Sequence, residues 1–254
     1  SMIYDRLPII ILILLRLTGF IALSPVFTKR GIPPIARVAF SLLLTGTVVL
    51  QLPLDAAYRF NVYVFALDCI KELLLGMVMG YATNLFFTAA VTAGELIDNQ
   101  IGFGMYNLFD TQSNVQMPLF GSLINVLNML LFLSMDGHLV VIRIMCSSFN
   151  AVPPGEITVS PELSSMMVKY FASSFVLAVQ IALPVVTASL MAEAGLAVMM
   201  RTIPQMNVFV VGIPLKIILG LVVIIVILPV YRAIMGDAFN VMYDAIGHLF
   251  EGFR

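Results

Sequence analysis

Charges set in hydrocarbon-like sequence are where chemistry is to be sought first. Arg16 interrupts LLRLTG, Asp68, Lys71 and Glu72 fall within LDCIKELLLG, Glu193 within LMAEAGL and Lys216 within PLKIILG. A charge in such a setting is costly unless paired or hydrated, so each carries a functional hypothesis. Asp68 and Lys71 are three residues apart and Asp68 and Glu72 four, which places all three on one helical face. A face of this kind serves either as a proton or ion relay or as a satisfied ion pair. A relay asks for carboxylates aligned on several helices, a pattern not evident here. An ion-pair or assembly role is therefore the expectation for Asp68, Lys71, Glu72, Glu193 and Lys216.

The most enzyme-like cluster is MDGHLVVIR, with Asp136, Gly137, His138 and Arg143. Asp and His two apart can orient a general base. No nucleophile stands in a recognisable elbow, and there is no HExxH, P-loop or strand-led GxGxxG motif. Gly137 is expected to turn the chain between two helix halves, with Asp136 and His138 satisfying loose backbone groups. Cys69 and Cys146 lack CxxC spacing and sit in apolar sequence, as small buried hydrophobes do. No metal, cofactor or catalytic residue is expected.

The segment GELIDNQIGFGMYNLFDTQSNVQMP, from Gly94 to Pro118, is polar and glycine-containing between two greasy runs, yet it keeps Ile101, Phe103, Met105, Tyr106, Leu108 and Phe109. It is expected to be a loop. A lone GFG allows unusual backbone angles where a chain turns sharply. Methionine is mostly core filler, but it also makes soft, adaptable surface, the use assigned to Met105 and Met117.

The elements that position these residues follow from composition. Of 254 residues 61% are hydrophobic and only 11% charged, against about a quarter charged in soluble domains; the mean hydropathy is +1.05. The formal net charge of −1 supplies no basic stripe for nucleic acid. Apolar runs of about spanning length cover residues 7–27, 35–54, 62–93, 117–135 continuing through 139–149, 170–200 and 208–235, followed by an amphipathic tail helix over 237–253. The opening residues fit an uncleaved first helix better than a signal peptide. The expected fold is all-α: one unit over 1–254, built of membrane-associated helical hairpins. Pro184, Pro214 and Pro229 are expected to break or kink their helices, while Gly76 with Gly80, and Ala188 with Ala192, allow close helix approach. Lys29, Arg30 and Arg37 mark a cytoplasmic first loop, but later loops sort poorly by charge and tryptophan is absent. Some apolar surface is thus expected to lie against other subunits rather than lipid.

Taken in order, TAGELIDNQIGFGMYNLFD, FLSMDGHLVVI, SFNAVPPGE, ALPVV and RTIPQMNVFVVGIPLKI resemble the FliR family of flagellar export proteins and their type III secretion equivalents, from Leu7 to about Arg232. Thr111 stands where many relatives carry proline, and the tail after Gly236 matches no strong pattern. The resemblance implies a single-copy subunit of an export gate in the bacterial inner membrane at the flagellar basal body. Its implied partners are FliP, FliQ, FlhB and FlhA, with unfolded flagellar proteins as cargo. It implies a fold like a fused FliP-like and FliQ-like protomer, and a pore plug carried here by Gly104, Met105, Tyr106, Leu108, Phe109, Asp110 and Met117. An independent secondary transporter or ion channel is the competing expectation, drawn from the interrupted helices and embedded charges.

Overall fold

The computed structural model describes residues 2–27, 32–51, 61–102, 118–202 and 208–253. Among these the regular structure is all helical: α1 (Met2–Leu23), α2 (Pro34–Gln51), α3 (Val62–Ile101), α4 (Leu119–Ser134), α5 (Gly137–Ala151), α6 (Glu162–Thr202), α7 (Val208–Leu249) and a 3-10 turn at Glu251–Phe253. The all-α class is as expected. Among the described residues four helices are long and apolar enough to cross a membrane: α2, α6, and the Arg6–Leu23 and Val210–Leu249 portions of α1 and α7. The bent pair α4 and α5 makes a fifth if taken as one broken span.

Two boundaries near the candidate site and the tail differ most from expectation. Helix α3 runs on to Ile101, so Gly94 to Ile101 is helix rather than loop. It stops where Gly102, at φ 86°, takes the left-handed conformation that ends helices; its N–H donates back to the carbonyls of Asp98 and Asn99. Helix α7 absorbs the separate tail helix and continues to Leu249. Pro184 in α6, and Pro214 and Pro229 in α7, lie inside helices that run on through them, as apolar bundles tolerate when neighbouring groups take up the freed carbonyls. Helices α3, α6 and α7 have 40, 41 and 42 residues. At ~1.5 Å per residue each is about 60 Å of helix, twice the roughly 30 Å of bilayer hydrocarbon. Much of each must therefore be covered by something other than lipid tails.

The chain divides into two compact units. The first comprises Ser1–Leu85, Leu133–Phe171 and Phe239–Arg254. Here α1 and α3 meet backbone to backbone. A Cβ at Gly80 would lie 2.6 Å from the carbonyl oxygen of Phe20, and one at Gly19 2.6 Å from that of Leu73. At Gly76 it would overlap the carbonyl of Arg16. Helix α2 packs on α1, with the rings of Phe27 and Phe40 5.0 Å apart. It buries Ser41, Thr45 and Val48 and turns Leu42, Leu43 and Leu50 outward. Small residues inward and large apolar ones outward is the pattern of helices in lipid or against apolar subunits.

The same unit explains the tail. Pro153, Pro154, Gly155 and Glu156 make a turn closed by Glu156 N–H to the Pro153 carbonyl, with Gly155 at φ 85°, as expected of Pro-Gly at its centre. The irregular stretch beyond it donates from Thr158 N–H to the Phe253 carbonyl and from Ser160 N–H to that of Gly252. Phe253 is buried. Phe253→Ala is expected to remove about 3 kcal/mol of stability, at the low end for a buried aromatic, seen as earlier thermal unfolding of the solubilised protein.

The second unit comprises Phe86–Phe132 and Ala172–Ala238. Phe87 of α3 and Phe132 of α4 pack edge to face with ring centroids 5.1 Å apart. A Cβ at Gly94 would overlap the backbone of Gly121, so these two helices also approach at glycine. Between α4 and α5, and already within the first unit, Asp136 turns the chain at φ 54°, a left-handed conformation that Asp tolerates better than most residues. The turn at Gly137 is as expected, but the Asp136 side chain makes no capping bond. His138 Nδ1 is buried without a partner among the described residues.

Candidate functional site

The site builds from the end of α3. After the buried stretch through Ala93 and Ile97, the polar residues Asp98, Asn99 and Gln100 occupy its last turn. The Asp98 carboxylate accepts the N–H of Phe120 at 3.1 Å and of Gly121 at 3.0 Å, across 22 and 23 residues of sequence. These are first-turn donors of α4 with no intrahelical acceptor, and an anion there also complements the helix dipole. Gly220 of α7 meets Ile101 and Phe120 at the same level. The described chain thus leaves α3 at Gly102 and resumes at Pro118, with both ends held together.

Beside this junction lies a cleft of about 350 Å3 lined by Asn99, Gln100, Ile101, Gly102, Glu193, Leu196, Ala197, Met200, Gly212, Ile213 and Lys216. Glu193 of α6 joins its sides. Its Oε1 accepts from Lys216 Nζ of α7 at 3.0 Å, and its Oε2 from Gln100 Nε2 of α3 at 3.3 Å. Glu193 is not the buried charge expected from sequence: its side chain is 54% exposed, because it stands at the surface with only Lys216 tucked below, at 12%. A pair this open contributes little to stability, up to about 1 kcal/mol.

The other embedded charges lie in the first unit and divide differently from expectation. Lys71 Nζ is 4.0 Å from Asp68, as the three-residue spacing allows, and donates to the Ile157 carbonyl at 3.1 Å. Glu72 pairs instead with Arg16, 56 residues away, by Nε to Oε2 at 2.6 Å and Nη2 to Oε1 at 3.0 Å. Both side chains are fully buried. Arg16 Nη1 also donates to the Val152 carbonyl at 3.0 Å and the Ser148 carbonyl at 3.2 Å. Its guanidinium carbon lies 4.4 Å from the Phe149 ring centroid, and Glu72 Oε1 accepts the Gly155 N–H at 3.0 Å. Sequence spacing pointed Glu72 at its own helix; a proton relay is poorly served by a carboxylate locked in a two-point arginine pair.

Of the residues assigned to the plug, Gly104, Met105, Tyr106, Leu108, Phe109, Asp110 and Met117 lie outside the described residues. Asp98 was missed. A proline at the start of an apolar helix, with an aspartate one turn before a helix-ending glycine, was the available signal.

Beside known proteins, residues 7–242 match the family model described as bacterial export proteins, family 1. The chain belongs to that family. Within it, the flagellar biosynthetic protein FliR of Aquifex aeolicus (strain VF5) is 30% identical over 94% of this chain and 92% of its own length. FliR of Bacillus subtilis (strain 168) is 28% identical over 97% and 96%, and FliR of Escherichia coli (strain K12) 26% over 93% and 92%. The family match begins where the quoted resemblance begins, at residue 7, and spans every motif in it.

Proposed function

We propose that this chain is the FliR-type subunit of the flagellar protein export apparatus, a structural and gating part of the channel through which unfolded proteins leave the cell. What carries the reading is similarity over nearly its full length to proteins named for flagellar biosynthesis. Its partners in this reading are FliP, FliQ, FlhB and FlhA, in the bacterial inner membrane at the basal body, and its role is non-catalytic.

The physical chemistry favours an assembly part over an independent transporter. Helix α7 is the most exposed candidate span, with 11% of its apolar window buried, and Ile218, Ile225 and Val226 point outward. With about 60 Å of helix to cover, apolar neighbouring subunits fit better than a single bilayer. The strongest buried charge pair, Arg16 with Glu72, has its polar atoms engaged by fixed partners.

In this reading Leu108 and Phe109 help to seal the resting channel, since apolar constrictions close by expelling water. Leu108→Ala with Phe109→Ala is expected to raise ion leakage through the assembled complex in non-exporting cells. Leakage unchanged at equal assembly removes those two residues from the seal.

A further inference from the structure

Helix α2 is built inside out. Ser41, Thr45 and Val48 are buried, while Ile35, Val38, Leu42, Leu43 and Leu50 are exposed at helical spacing along the other side. A face of this kind needs an apolar cover, either lipid chains or another subunit. Length favours lipid. The 18 residues of α2 rise about 27 Å, close to the roughly 30 Å of bilayer hydrocarbon. The 41 and 42 residues of α6 and α7 overshoot that thickness about twofold. Charge favours lipid too. The apolar run has Lys29 and Arg30 before it and Asp55 after it. The first turn of α2 holds no acidic residue but does hold Arg37, whose Nη2 donates to the Ile32 carbonyl at 3.3 Å. A cation there opposes the helix dipole, and an anionic phosphate at that level offsets the mismatch. Ala39 and Gly46 are also exposed. They are where a neighbouring helix would close in, so a subunit is the rival occupant.

We propose that the exposed face of α2 is a phospholipid-binding surface of the assembled complex, with acyl chains over Leu42 and Leu43 and Arg37 at the headgroup phosphates. This rests on the assembly reading above. The test places the photoreactive residue p-benzoylphenylalanine at position 43, or at position 225 on the exposed face of α7. Each variant is co-expressed with FliP and FliQ, and the membranes are illuminated before extraction. Position 43 is expected to gain the mass of a phospholipid and to give no protein adduct, whereas position 225 is expected to join another subunit. Arg37→Gln is expected to lower the share of phosphatidylglycerol among the position-43 adducts roughly threefold, in keeping with the loss of one exposed ion pair.

A protein adduct at position 43 overturns the proposal and gives the face to a neighbouring helix. An unchanged phosphatidylglycerol share in Arg37→Gln overturns the headgroup contact. Gly46→Leu decides the matter without the photoreactive residue, since fluid chains yield to a larger side chain and a seated helix does not. Incorporation of Gly46→Leu into the complex at the wild-type level is expected, and its loss overturns the proposal. Protein adducts at both positions sink this inference alone. Phospholipid adducts at both leave it standing and tell against the assembly reading.

Discussion

Glu72→Ala is expected to lower stability by about 3–5 kcal/mol, the range for breaking a buried ion pair from one side. The loss arises less from the missing attraction than from what stays behind. Arg16 remains fully buried with its charge unmatched, and the Gly155 N–H loses its acceptor. Three parts of the first unit converge on this carboxylate: α1 through Arg16, α3 itself, and the proline turn at 153–156. That turn leads into the stretch paired with the C-terminal residues, so the chain's end should loosen too. The check is abundance in membranes together with the thermal midpoint of the solubilised protein. Glu72→Gln, which keeps the shape and an acceptor oxygen, should lose less. Equal stability of the wild type and Glu72→Ala would mean that the Arg16 pairing is not what holds this unit.

Gly76→Ala is the second large effect. An added methyl there meets the carbonyl and backbone of Arg16 and the backbone nitrogen of Phe20, none of which can rotate aside. Helix α1 has to move away from α3, and the Arg16 side chain moves with it. Overpacking of this kind costs about 1–3 kcal/mol, and the strained ion pair adds to that. The two substitutions share a mechanism, so Gly76→Ala combined with Glu72→Ala should lose less than the sum of the separate losses. Gly46→Ala is the control: a methyl there meets nothing within 4 Å, and alanine is the better helix former by about 1 kcal/mol. If Gly76→Ala behaves like Gly46→Ala, the close approach of α1 and α3 is not a constraint.

How far the sequence reached depended on whether a signal was local. Hydrophobic run lengths placed the helices, and the turn between α4 and α5 was legible in Gly137. The small-residue pair Gly76 and Gly80 correctly pointed to close packing. Partner choice was another matter. Periodicity sets Asp68, Lys71 and Glu72 on one face, but nothing in that face names Arg16, which lies on a helix two elements earlier. Polar composition made Gly94 to Ile101 look like loop, whereas Asp98, Asn99 and Gln100 are polar because α3 ends at a junction and a cleft. The tail looked separate because its amphipathic pattern differs from the apolar run before it. Helix α7 nevertheless passes from one pattern to the other without a break.

Membership of a specific hetero-oligomer is tested by stoichiometry. The chain is co-expressed with FliP and FliQ, extracted in mild detergent and weighed intact by native mass spectrometry. One copy of this chain in a defined complex with several copies of each partner is expected, with poor recovery when either partner is omitted. A stable monomer or homodimer indifferent to both would contradict it, and flux assays on Asp68, Lys71 and Glu193 would then take precedence over the gate.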